Sequence, residues 1–146
     1  MKLETRCEFK SAVIKGEFLS YLPIELSTLV EWLSVIRMNK LDGKSITVTG
    51  VGRAVNLEKP SYHAVWRAVD IRTKDMAPEV RTNVLVYARS LARAFNCALP
   101  DGRRLQVESH DELVGKEDEH IHIELDGGRA FLLAALNDRQ KGVTHA

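Results

Sequence analysis

The chain has 146 residues, 45% of them hydrophobic and 28% charged, which suits an ordinary globular protein able to bury a core without a disulfide or structural metal. Its 21 basic and 20 acidic residues give a net charge of +1, so no basic excess draws it to nucleic acid or to an anionic membrane. No apolar run reaches the length of a transmembrane helix, and Met1 to Arg6 show no signal peptide; stable membrane insertion is not expected.

One domain over residues 1–146 is expected from this length. The first 22 residues mix short apolar groups with charge and give no firm assignment. From Pro23, the residues Leu26, Leu29, Val30, Leu33 and Ile36 fall on one helical face, with Pro23 in the first turn and Asp42-Gly43 ending the segment. Ser45 to Val51 alternates Ile and Val with Thr, as a half-buried strand does. A polar loop from Gly52 to Ser61 carries Arg53 and Glu58, and Ala68 to Ile71 reads as a short strand with Asp70 embedded in it. A second helix is expected from about Pro78 to Asn96, with Val80, Val84, Tyr87, Ala88, Leu91 and Phe95 on one stripe. Pro100-Asp101-Gly102 is a turn, and Leu105 and Val107 alternate in a further strand. An acidic loop from Glu108 to Glu119 leads into the strictly alternating His120 to Leu125. The tail from Arg129 fits either a helix or a last strand. Without regular alternation of strands and helices, this order predicts an α+β fold, a small antiparallel sheet packed with two or three helices.

Alternation along His120 to Leu125 sends Ile121, Ile123 and Leu125 to one face and His120, His122 and Glu124 to the other. Two histidines beside acidic residues suggest a metal or acid–base site, although His-x-His alone is weak. Seven positions separate His63 from Asp70, and a carboxylate in an apolar strand is costly to bury unless paired or metal-bound. A salt bridge from Asp70 to Arg67 or Arg72 is the plainer alternative. Taken together, two histidines and one carboxylate match a catalytic zinc site with a fourth position left for water. The acidic group Glu117-Asp118-Glu119 offers a general base.

Ser61-x-His63, then Asp70, and downstream Glu119-x-x-His122 with its embedded His120-x-His122 resemble the zinc D-Ala-D-Ala carboxypeptidase and L-alanyl-D-glutamate endopeptidase family, to which many bacteriophage endolysins belong. The family pattern Ser-x-His-x-x-Gly-x-Ala-x-Asp is met at Ser61, His63, Ala68 and Asp70, and departs at Trp66, where glycine is usual. Arg53 matches an arginine that follows a strand in the family, and Glu58 stands where the endopeptidase branch carries glutamine. The resemblance spans roughly residues 45 to 125.

It implies Zn2+ on His63, Asp70 and His122, with Glu119 as general base and His120 supporting the transition state. Arg53 and Ser61 would bind the substrate or polarise its carbonyl. The implied activity is hydrolysis of a peptide bond in peptidoglycan stem peptides, either D-Ala-D-Ala or L-Ala-D-Glu. The alternative is a non-catalytic zinc-binding phage structural or wall-binding protein on the same fold. Glu119 has the wrong strand parity to face the metal, so it must precede the strand or sit at a bulge; Asp118 is the second choice. Synthesis in the cytoplasm, followed by release to the wall or carriage in a virion, is the expected localisation. A monomer is compatible with the sequence, which leaves oligomeric state open. Cys7 and Cys97 are expected to be free and partly buried, His110 to lie exposed in its acidic loop, and His145, next to the C-terminus, to be disordered.

Overall fold

A computed structural model describes residues 5–100 and 102–142; His145 and Asp101 lie outside them. The chain is α+β. Five strands, β1 (Glu8–Phe9), β2 (Thr47–Gly50), β3 (Ala68–Arg72), β4 (Arg104–Ser109) and β5 (His120–Asp126), form one sheet in the order β1-β2-β3-β5-β4. All neighbouring pairs are antiparallel except β1 and β2, which run parallel. The expected antiparallel sheet therefore gains one short parallel edge strand. Four helices accompany it: α1 (Ala12–Tyr21), α2 (Ile24–Lys40), α3 (Pro78–Asn96) and α4 (Arg129–Gln140). None is long and apolar enough to cross a membrane.

Each helix follows from local chemistry. Ser11 caps α1 by accepting a hydrogen bond from the Ile14 amide. Pro23 stands at the cap of α2, one position before its first turn. At the other end of α2, buried Arg37 clasps both carboxylate oxygens of Asp42 and donates to the Ser45 carbonyl, which anchors the approach to β2. Pro78 opens α3, where its missing amide hydrogen costs nothing. The tail resolves as helix α4, entered from Gly128 at φ 92°.

The two faces of the sheet differ in kind. Val69 and Ile71 of β3, Ile121, Ile123 and Leu125 of β5 and Leu105 of β4 are buried in one core with Leu26, Leu29, Val30 and Leu33 of α2 and Val84 and Ala88 of α3. The opposite face carries Asp70, His122 and Glu124. A smaller apolar cluster of Tyr62, Ala64, Ala68, Leu132 and Leu136 joins the turn Tyr62–Val65 to α4. Register fixes which polar residues meet: Asp70 lies opposite His122, Arg72 opposite His120, and Glu108 of β4 opposite His122 on its other side. A two-residue pleat then puts all of them on one surface.

Cys7 and Cys97 are free thiols; Cys7 is buried and Cys97 is exposed, so the expectation of two partly buried thiols holds for neither.

Candidate metal centre

The 3-10 turn Tyr62–Val65 delivers His63. Ser61 caps it, its Oγ accepting from the His63 amide at 3.2 Å. The imidazole is buried, and its Nδ1 lies 2.8 Å from the Val51 carbonyl. A carbonyl only accepts, so Nδ1 carries the hydrogen and Nε2 offers its lone pair to the site. Nε2 sits 3.1 Å from Asp70 Oδ1.

From β5, His122 brings Nδ1 to 2.9 Å of the same oxygen and Nε2 to 2.8 Å of Glu124 Oε1. Burial alone would push the His122 pKa down. Hydrogen bonds to Asp70 and Glu124 overcome it and lift the pKa to about 9. For Asp70, burial favours the protonated acid, yet the hydrogen bond from His122 holds it well below the usual carboxylate range. The plainer alternative for Asp70, an arginine partner, is not what the fold builds. Arg72 reaches Asp75 at 4.0 Å, and Arg67 lies over the Phe131 ring.

One carboxylate oxygen therefore faces two imidazole nitrogens, with all three atoms within 4.8 Å of one another. The set fits a single divalent ion by its chemistry. Two imidazoles and a carboxylate are zinc donors, and the outer nitrogen of each imidazole is held by a carbonyl or a carboxylate, as in metal-binding histidines generally. His122, Glu124 and Glu108 form a second group of donors, but Glu108 is exposed. We assign Glu124 instead as the group that orients His122. No protein-family model matches the chain. Comparison with curated proteins gives no match either.

Glu119 requires a correction. It precedes β5 and turns away from Asp70, toward α3. Its Oε1 accepts from Thr73 Oγ1 at 2.9 Å and lies 3.1 Å from Arg81 Nε, while Oε2 accepts from the Gly115 amide at 2.8 Å. Only 6% exposed, it anchors the loop before β5, and none of these bonds reaches His63, Asp70 or His122. Asp118 is exposed, and its carbonyl accepts from His120 Nδ1 at 2.6 Å. That bond leaves His120 Nε2 without the hydrogen and 3.8 Å from Asp70 Oδ1.

His110 is the residue that reasoning from the sequence set aside. Its ring centroid lies 5.0 Å from that of His120 and 6.4 Å from that of His122, so it stands at the rim of the site with Glu112 3.4 Å from its Nδ1. The signal was available: once β4 and β5 pair with Ser109 opposite Ile121, the residue that follows β4 reaches His120.

Arg53 is exposed, with Nη1 3.4 Å from Ser61 Oγ, beside the turn that holds His63. Glu58 is exposed on the same loop. Trp66 closes the turn at φ 62°, ψ 30°, among the described residues the only non-glycine at positive φ. The backbone there is the left-handed form that glycine adopts most readily, the residue the resembled pattern carries at this position. Trp66 accepts that conformation while its ring stacks on Tyr21 at 4.6 Å and lies under the Arg139 guanidinium at 4.7 Å.

Proposed function

We propose that the protein is a zinc-dependent peptidase acting on peptidoglycan stem peptides. The observation that carries the metal is Asp70 Oδ1 facing His63 Nε2 and His122 Nδ1, with the outer nitrogens held by Val51 and Glu124. The substrate class rests on the motif resemblance around Ser61, His63, Asp70 and His122. Bound zinc supplies Lewis-acid chemistry, lowering the pKa of a coordinated water toward 7 and polarising a carbonyl oxygen.

The chain's own groups divide the remaining work. His63, Asp70 and His122 hold the ion, each imidazole fixed in one orientation by its outer bond. His120 is the proton carrier in this reading, in place of Glu119. Its Nδ1 hydrogen is fixed on the Asp118 carbonyl, so Nε2 is the atom that takes a proton from water and returns it to the leaving amine. Arg53, exposed and 3.4 Å from Ser61 Oγ, binds the peptide's carboxylate or carbonyl oxygen, and Ser61 keeps the His63 turn in place.

A second reading has one observation in its favour. With Glu119 committed to Arg81 and Thr73, a non-catalytic zinc-binding wall protein is the alternative. Mass spectrometry of fragments released from purified peptidoglycan by the zinc-loaded protein separates the two. Free D-Ala, or cleavage between L-Ala and D-Glu, is the expected product. Zinc bound at about one per chain with no fragment released would favour the non-catalytic reading. A protein that takes up no zinc would overturn both.

A further inference from the structure

On the side of the sheet away from Asp70, the second half of α3, the turn after it and the start of β4 enclose a groove of about 620 Å3. Three arginines face it, Arg89 and Arg93 from α3 and Arg103 from the approach to β4; Arg104, the first residue of β4, borders the groove but alternates with Leu105 toward the other face of the sheet. Arg89 and Arg93 are four positions apart on one helix face, an arrangement of like charges that costs helix stability unless something negative lies nearby.

Among the described residues, very little negative charge does. Arg103 Nη2 reaches Glu25 at 3.0 Å, while its Nε is buried without an acceptor. Arg104 lies opposite Asp126 in register; the hydrogen bond from Tyr62 and the charge of Arg104 help to hold the Asp126 carboxyl below its ordinary range, so Arg104 adds little to the groove. Among the described residues, no ion pair holds Arg89, Arg93 or Arg104. Among the described residues, three guanidiniums thus face one carboxylate, that of Glu25, in a protein whose net charge is only +1. Guanidinium forks match phosphate oxygens in pairs. Among the described residues no aromatic ring lines the groove, so nothing there would stack on a nucleobase. Leu105 and Val107 form an apolar floor against which a carbon chain between phosphates can lie.

We propose that this groove binds a phosphodiester-linked polyol chain, an anionic polymer of the cell wall, and so retains the protein on its substrate. The choice of a wall polymer rests on the peptidase reading; the choice of a phosphate chain without bases rests on the groove.

Fluorescence anisotropy with labelled poly(glycerol phosphate) tests it on the full chain, both metal-free and zinc-loaded. Saturable binding that weakens with salt is expected in both forms. Arg89→Gln with Arg93→Gln should weaken it about tenfold or more and lower the salt slope by about 1 for each arginine–phosphate pairing removed. Thermal melting of this double variant should match or exceed that of the parent, because two repelling charges are gone. Unchanged affinity in the double variant would overturn the proposal. So would tighter binding of a single-stranded oligonucleotide with the same number of phosphates. Polymer binding without release of stem-peptide fragments would leave the groove standing and remove the peptidase. Hydrolysis without polymer binding would do the reverse.

Discussion

The Trp66 ring fills the space that a side chain at residue 52 would need: a Cβ on Gly52 would lie 2.4 Å from Trp66 Cζ3 and 2.4 Å from Glu17 Oε2. The two positions are complementary. The left-handed backbone at Trp66 costs on the order of 1–2 kcal/mol, and stacking on Tyr21 and Arg139 offsets it. Arg139 also donates to the carbonyls of Ala64 and Arg53, so the same side chain fastens α4 to the loop beside His63. Gly52→Ala should therefore destabilise the fold by about 1–3 kcal/mol. Trp66→Gly relaxes the backbone but removes the stacked ring, and in its presence Gly52→Ala should become nearly neutral. Urea denaturation of the two single variants and the double variant measures this coupling. Strictly additive losses would show that the ring and Gly52 do not share the space.

Glu119→Gln separates an anchor from a base. Its carboxylate is held below the ordinary range: burial acts to raise its pKa, but the Gly115 amide, Thr73 and Arg81 outweigh it. Neutralising it breaks a largely buried pair with Arg81, which should cost on the order of 3 kcal/mol of stability. Zinc affinity should change little, because none of the partners of Glu119 is among the proposed donors. Denaturant titration and zinc titration of the same variant check both halves. Full stability with abolished hydrolysis would restore Glu119 as the base.

The elements legible in the sequence are those with a period long enough to read. The stripe on α3, with Val84 and Ala88 buried, and the alternation of β5 are both present in the fold. β1 has two residues and so no period, and its parallel pairing with β2 is a tertiary choice. α1 buries only Phe18, so its apolar residues trace no stripe. The proposed metal donors were legible as residue types, but Asp70 meets His122 through strand register across 52 positions, which no local pattern encodes. Parity set Glu119 against the histidine face, where the structure keeps it buried toward α3, and put Glu124 on that face. His110 was missed because its place depends on the pairing of β4 with β5 across the loop between them.

Glu124 holds the outer nitrogen of His122 at 2.8 Å while staying outside the proposed donor set. Glu124→Gln preserves the shape but removes the charge that raises the basicity of the ring. Losses at such positions typically reach about 10–100-fold in metal affinity. We expect a drop of that size, while His122→Ala should abolish binding. Competition titration against a zinc chelator gives both constants. Equal affinity in Glu124→Gln and the parent would mean that His122 does not bind through Nδ1.

Protons and zinc compete at His122, and the two oppose each other with pH. In the metal-free protein the His122 pKa stands at about 9 against an ordinary 6.5, so its pairing with Asp70 contributes fully below pH 6.5 and fades as pH rises toward 9. Asp70, held below its ordinary 3.8, contributes above that pH and loses its share as pH falls through its own lowered value. The metal-free pair is thus intact from about pH 4 to pH 6.5. Thermal melting in the presence of a chelator should accordingly show a Tm lower at pH 8.5 than at pH 6, at about 2–4 °C for each kcal/mol lost in a chain of this size. Zinc must displace the Nδ1 proton, so the rise in Tm on adding zinc should grow over the same interval. A metal-free Tm that climbs from pH 6 to 8.5, with a zinc increment that stays flat, would mean that His122 is neutral without the metal and does not face Asp70 through a shared proton.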